Sequence, residues 1–137
     1  MNFIIPQPPI PAVKIAGSEI FFPVHRVYCV GRNYADHARE MGHNPDREEP
    51  FFFQKSPDNL LPAGVPKGGV FPYPSKSVNV QYEVEMVCAL GAGGKEVSKE
   101  EAINLIWGYS VGLDMTRRDL QGEAKKAGRP WDIAKAF

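Results

Sequence analysis

Between Val80 and Leu90 the chain reads Val-Gln-Tyr-Glu-Val-Glu-Met-Val-Cys-Ala-Leu. Val80, Tyr82, Val84, Met86, Cys88 and Leu90 share one parity; Gln81, Glu83, Glu85, Val87 and Ala89 share the other. Successive side chains of a strand point to opposite faces, so this pattern predicts a strand with one fully apolar face. The other face carries two carboxylates side by side. Like charges this close repel unless a cation lies between them. Hard divalent ions such as Mg²⁺, Mn²⁺ and Ca²⁺ prefer oxygen ligands. On spacing alone the pair fits either such an ion or an exposed edge strand with solvated glutamates.

At 137 residues the chain is one domain or part of one, long enough to form a core. Sixteen basic and 16 acidic residues give a formal net charge of +0. That argues against a nucleic-acid or anionic-membrane partner held by bulk charge. Lys125, Lys126 and Arg129 read as a solvated helix end, where cations sit favourably. No stretch approaches the ~20 apolar residues that span a bilayer. The apolar start, Met1 to Ile5, is cut off by Pro6, Pro8, Pro9 and Pro11 and is too short for a signal peptide. Cys29 and Cys88 lie in apolar runs without a C-x-x-C. The expectation is buried thiols in a reducing, cytoplasmic setting.

Residues 12–15 and 19–22, joined through Ala16-Gly17-Ser18, predict a β-hairpin ended by Pro23. Residues 26–31 and 51–55 predict strands. Between them Asn33 is placed to cap a short helix over about Tyr34 to Met41, stopped by Gly42. Residues 56–76 are loop-rich, with room for one or two short strands. Ser98-Lys99-Glu100-Glu101 is a capping box, predicting a helix to about Ile106. Tyr109 to Asp114 predicts a strand ending in an acid, and Thr116 with Asp119 opens a helix to about Ala127, ended by Gly128 and Pro130. Short strands and helices without βαβ alternation indicate an α+β, mainly β architecture.

Several residues could carry chemistry. Asp114, at a strand end before a helix, would complete a three-carboxylate site with Glu83 and Glu85 if the three meet. A turn or capping acid is the alternative. His37 and Glu40, i,i+3 on the predicted helix, could be a general base and its orienting carboxylate, or a surface pair. Lys55 and Lys135 each end an apolar stretch. Either could neutralise a developing enolate or a substrate carboxylate, or simply extend its ammonium to solvent.

Four blocks join these signals. They are Cys29-Val30-Gly31-Arg32-Asn33-Tyr34-Ala35-Asp36-His37 with Arg39-Glu40-Met41; Glu83-x-Glu85; Gly108-Tyr109-x-x-Gly112-x-Asp114-Met115-Thr116-x-Arg118-Asp119-x-Gln121; and Gly128-x-Pro130-Trp131-x-x-x-Lys135-x-Phe137. In order and spacing they closely resemble the fumarylacetoacetate hydrolase family, over about residues 20 to 137. Within it the chain looks most like bacterial fumarylpyruvate hydrolases and, slightly less, acylpyruvases and oxaloacetate decarboxylases.

The resemblance implies a mixed β-sandwich roll, usually dimeric. Residues 1–22 would form an N-terminal arm and hairpin, and residues 23–137 the first part of the catalytic domain. Glu83, Glu85 and Asp114 match the family's Mg²⁺ or Mn²⁺ ligands. His37 and Glu40 match a dyad on a lid helix, and Lys135 the lysine facing the reacting carbon. Lys55, Arg118 and Gln121 match substrate-contacting positions, with Arg32 a weaker candidate for a carboxylate contact. The implied substrate is a small keto acid, and the implied reaction is metal-dependent hydrolysis of a carbon–carbon bond in an acylpyruvate, within aromatic-acid breakdown. Decarboxylation or isomerisation on the same scaffold is one alternative. A non-catalytic fragment that keeps the metal ligands is another. The family domain continues well beyond Phe137, with further strands and a Gly/Thr-rich substrate loop. A sheet stopped there is expected to leave edges unpaired and apolar faces uncovered.

Overall fold

The computed structural model describes residues 2–31, 50–64 and 68–137. The predicted helix at 34–41 lies outside the described residues. Three antiparallel two-stranded ladders and three short helices make up the regular structure described. This is the α+β, mainly strand composition that the sequence predicts.

Strands β1 (Ala12–Lys14) and β2 (Phe21–Pro23) form the expected hairpin, with Val13 opposite Phe22. Gly17 turns it at φ 69°, a conformation that costs glycine nothing. Pro23 is the last residue of β2, where its missing N–H breaks no interior ladder bond. Strands β3 (Val27–Gly31) and β4 (Phe51–Lys55) pair from Val27–Lys55 to Gly31–Phe51. A Cβ at Gly31 would lie 2.4 Å from the Phe51 ring, so any larger residue there would force that ring to move. The 56–76 stretch holds a single 3₁₀ turn, Pro57–Asn59, and no strand among its described residues.

Strand β5 spans Val80–Leu90, as its alternation predicts. It pairs with β6 (Ile106–Arg117), with a register shift at Ala89/Leu90. Strand β6 is longer than the predicted 109–114 because its ends find partners on β5: Ile106 opposite Leu90 and Arg117 opposite Val80. The same pairing shortens the preceding helix, α1, to Lys99–Ile103. Its capping box forms as predicted, with Ser98 Oγ accepting from Glu101 N–H and Glu101 accepting from Ser98 N–H.

Thr116 does not cap a helix. It lies within β6, and helix α2 (Arg118–Lys126) begins two residues later. Asp119 instead accepts from Ser77 Oγ at 2.7 Å and Val78 N–H at 2.9 Å, pinning the chain that enters β5. These hydrogen bonds, that of Ser77 foremost, hold the Asp119 carboxyl below its ordinary range. Gly128, at φ 62°, ends the helical segment. Helix α3 (Asp132–Lys135) has no side-chain cap and carries no local signal in the sequence. Trp131 anchors it, with its ring edge-on to Phe51 at 5.2 Å and 5.8 Å from Phe53.

The buried set among the described residues is small and mostly polar: Ser77, Asp114, Thr116 and Lys135, with Ala124 and Ala134. The apolar parity of β5 faces outward. Tyr82, Val84, Met86 and Leu90 are exposed, as are Tyr109, Val111 and Leu113 on β6. Cys88 shares that face and is exposed, which corrects the expectation of a buried thiol; Cys29 is half-buried. The uncovered apolar face anticipated for a sheet of this extent is present.

Candidate metal centre

The inward face of the β5–β6 ribbon gathers the charged groups. Glu83 and Asp114 are a direct register pair, and Glu85 stands opposite Gly112. The strand period of two places all three carboxylates on one face. Helix α2 brings Arg118 and Gln121 to its margin, α3 brings Lys135, and the end of β4 brings Lys55.

Lys135 is 2% exposed. Its Nζ donates to Asp114 Oδ2 at 2.6 Å, Thr116 Oγ1 at 2.6 Å and Glu83 Oε2 at 2.9 Å. An ammonium buried this completely persists only when paired and fully hydrogen-bonded. Lys55 Nζ lies 2.9 Å from Asp114 Oδ1 and donates to the carbonyls of Met115, at 2.9 Å, and Lys135. Arg118 pairs with Glu83 Oε1 and donates to Gln81 Oε1 at 3.0 Å and Gln121 Oε1 at 2.7 Å. Three cations therefore pair with two of the acids, Glu83 and Asp114.

The thiol of Cys29 on β3 is pushed up from 9.0 to about 11. Burial is the main cause, the Asp114 charge adds to it, and Lys55 and Lys135 oppose it. Lys135 also lines a cavity of about 410 Å³ with Phe51, Phe53, Arg129 and Trp131.

The structure thus brings together Glu83, Asp114, Lys135, Lys55, Arg118 and Gln121, with Glu85 on the same face. His37, Glu40 and Arg32 lie outside the described residues. Sequence reading missed Thr116, which is fully buried against Lys135. The available signal was its parity with Asp114, two residues away on one strand.

Among the described residues no three acidic, His or Cys side chains form a ready-made metal-holding cluster. The donor chemistry nonetheless fits a hard divalent ion. All three candidate donors are carboxylates on one sheet face, and Asp114 Oδ1 is buried without a hydrogen bond, with the Lys55 ammonium 2.9 Å away.

The profile of the family described as "Fumarylacetoacetate (FAA) hydrolase C-terminal" matches residues 26–137. A fumarylpyruvate hydrolase from a Ralstonia species is 47% identical over 97 residues, covering 69% of this chain and 48% of its own length. An oxaloacetate tautomerase of Escherichia coli is 42% identical over 121 residues, covering 88% of this chain and 53% of its own. A fumarylpyruvate hydrolase of Pseudomonas aeruginosa, solved in complex with Mn²⁺ and pyruvate, superposes with a TM-score of 0.91 at 51% identity. That match covers 99% of this chain and 58% of the solved one. The chain spans about half the length of the curated relatives it matches.

Proposed function

Because the chain belongs to the fumarylacetoacetate hydrolase family, we propose that it carries the metal site and reacting lysine of a hydrolase that cleaves an acylpyruvate, with fumarylpyruvate giving fumarate and pyruvate. The observation that carries this reading is the meeting of Lys135 with Glu83 and Asp114 in a chain 51% identical to the P. aeruginosa enzyme that holds Mn²⁺ and pyruvate.

Glu83, Glu85 and Asp114 would hold Mg²⁺ or Mn²⁺. When bound, that ion supplies Lewis-acid polarisation of the keto-acid oxygens. Arg118 and Gln121 present donors for a substrate carboxylate from the first two turns of α2, and Arg32 is a further candidate. His37, oriented by Glu40, takes a proton from water as the water oxygen attacks the distal carbonyl carbon. Collapse of that adduct breaks the carbon–carbon bond and leaves the electron pair on a pyruvate enolate, later protonated at carbon. Lys135 and Lys55 offset the enolate charge from fixed positions, where preorganised cations contribute most.

The same reading makes residues 23–137 the first part of the catalytic domain, behind an arm and hairpin at 1–22. It also implies a homodimer, a cytoplasmic setting and a place in aromatic-acid breakdown. Among the described residues no helix is long and apolar enough to cross a membrane.

A second reading, decarboxylation or isomerisation of oxaloacetate, is favoured by the E. coli tautomerase, whose match covers 88% of this chain. It needs the same enolate chemistry but no attacking water. A third, a non-catalytic fragment that retains the ion ligands, is favoured by the uncovered apolar face of the ribbon. Product analysis on fumarylpyruvate, acetylpyruvate and oxaloacetate, with this chain and a longer form, separates the three. Fumarate and pyruvate support the hydrolase. CO₂ or enol–keto exchange from oxaloacetate without diketone cleavage supports the second. Inert protein that still binds Mn²⁺ supports the third.

A further inference from the structure

An ammonium group has three N–H donors and no acceptor. Lys135 directs its donors to Asp114 Oδ2 at 2.6 Å, Glu83 Oε2 at 2.9 Å and Thr116 Oγ1 at 2.6 Å. None is left for a substrate. Two of the three acceptors belong to the proposed metal ligands. A divalent cation and an ammonium ion cannot share the gap between Glu83 and Asp114 without strong repulsion in so buried a place.

Lys55 is held differently. Among the described residues it pairs with one carboxylate, Asp114, and is tied to the backbone carbonyls of Met115 and Lys135. It can keep its place when the carboxylates change partner. Of the three acceptors around Lys135, Thr116 is the uncharged one, placed to retain the ammonium when both carboxylates turn to an ion.

We infer that Lys135 is the internal counter-ion of the carboxylate site, that it competes with the divalent cation for Glu83 and Asp114, and that cation entry releases its donors toward substrate. The inference rests on the metal reading above. Its consequence is an order of events. The lysine that would face the enolate is withheld until the ion is in place, and Thr116 acts as a positioning residue for it.

The test is Mn²⁺ titration of chelator-stripped protein, with free Mn²⁺ counted by electron paramagnetic resonance, on the unaltered chain, Lys135→Met and Asp114→Ala. Asp114→Ala is expected to lose binding. Lys135→Met is expected to bind Mn²⁺ at least about tenfold more tightly, because the competing charge is gone. Equal binding by the unaltered chain and Asp114→Ala would overturn the metal reading and this inference with it. Loss in Asp114→Ala, with unchanged or weaker binding in Lys135→Met, would overturn the counter-ion alone. A second measurement needs no substitution. The ¹⁵N-labelled Lys135 ammonium, slowly exchanging while it bridges the carboxylates, is expected to shift or broaden on addition of Mg²⁺. An unchanged signal at saturating Mg²⁺ would likewise overturn the counter-ion.

Discussion

The two faces of the β5–β6 ribbon come from the same two strands and have opposite fates. On one, Glu83, Asp114 and Thr116 lie under Lys55, Arg118 and Lys135, and Thr116 is fully buried. On the other, Tyr82 at 70% and Val111 at 73% exposure stand in solvent beside Val84, Met86, Tyr109 and Leu113. Alternation alone would have put the apolar face inside. The helices decide otherwise, because α2 and α3 bring their cations to the acidic face. The lesson is that period-two patterning fixes a strand and its register, while long-range partners determine which face is covered. A buried ionic face also has a function-like signature. Taking these charges out of water costs several kcal/mol per ion unless each is paired, so such a cluster serves stability poorly and chemistry well.

Substitutions on the two faces should therefore behave differently. Asp114→Ala has the largest expected effect. It should abolish turnover and its Mg²⁺ dependence. It should also cost ~3–5 kcal/mol of stability, since Lys135 and Lys55 lose a buried partner. Steady-state kinetics and urea denaturation check both, and near-normal rates would break the assignment of this face. His37→Ala separates ion holding from proton transfer. Turnover should fall by ~10²–10⁴ with Mn²⁺ affinity nearly unchanged, and loss of Mn²⁺ binding would show that His37 is misplaced.

Thr116→Val removes one of the three acceptors of Lys135 and should destabilise the chain by ~1–3 kcal/mol, read from the urea midpoint. A smaller effect belongs to Asp119. Its carboxyl is held low by Ser77 Oγ and then Val78 N–H, so the folded value lies below the unfolded one. The stability this contributes is present above the ordinary aspartate range and is lost as pH falls through the folded value. Asp119→Asn should flatten the acid limb of a stability–pH profile and leave the neutral limb parallel. Val111→Thr, on the open face, should change stability by less than ~0.5 kcal/mol. A large loss there would mean that the apolar face is covered in solution and would erase the contrast.

What could be read from sequence follows the range of the interactions involved. Strand β5 was legible to the residue because alternation is local. So was the capping box of α1, complete within Ser98 to Glu101. The extent of β6 was not, because Thr116-x-x-Asp119 mimics a local cap while the pairing of Arg117 with Val80 closes across both strands and the helix between them. Helix α3 was unread for the same reason: its anchor is the packing of Trp131 on Phe51 and Phe53, with no capping side chain. Strand parity and strand ends pointed to the carboxylates and lysines one by one, but only the family blocks joined them into one site. Lys135 and Glu83 meet across 52 residues, and Lys55 and the Lys135 carbonyl across 80. No periodicity links positions so far apart. Thr116 escaped because a cap and a strand residue share the same composition.

The most direct test of the account is fumarylpyruvate cleavage by the unaltered protein with Mg²⁺, after chelation and after Mg²⁺ is restored, beside Asp114→Ala. The account predicts fumarate and pyruvate in equal amounts, loss of turnover with chelator, recovery with Mg²⁺ and none in Asp114→Ala. Cleavage that persists in chelator, or in Asp114→Ala, would contradict it.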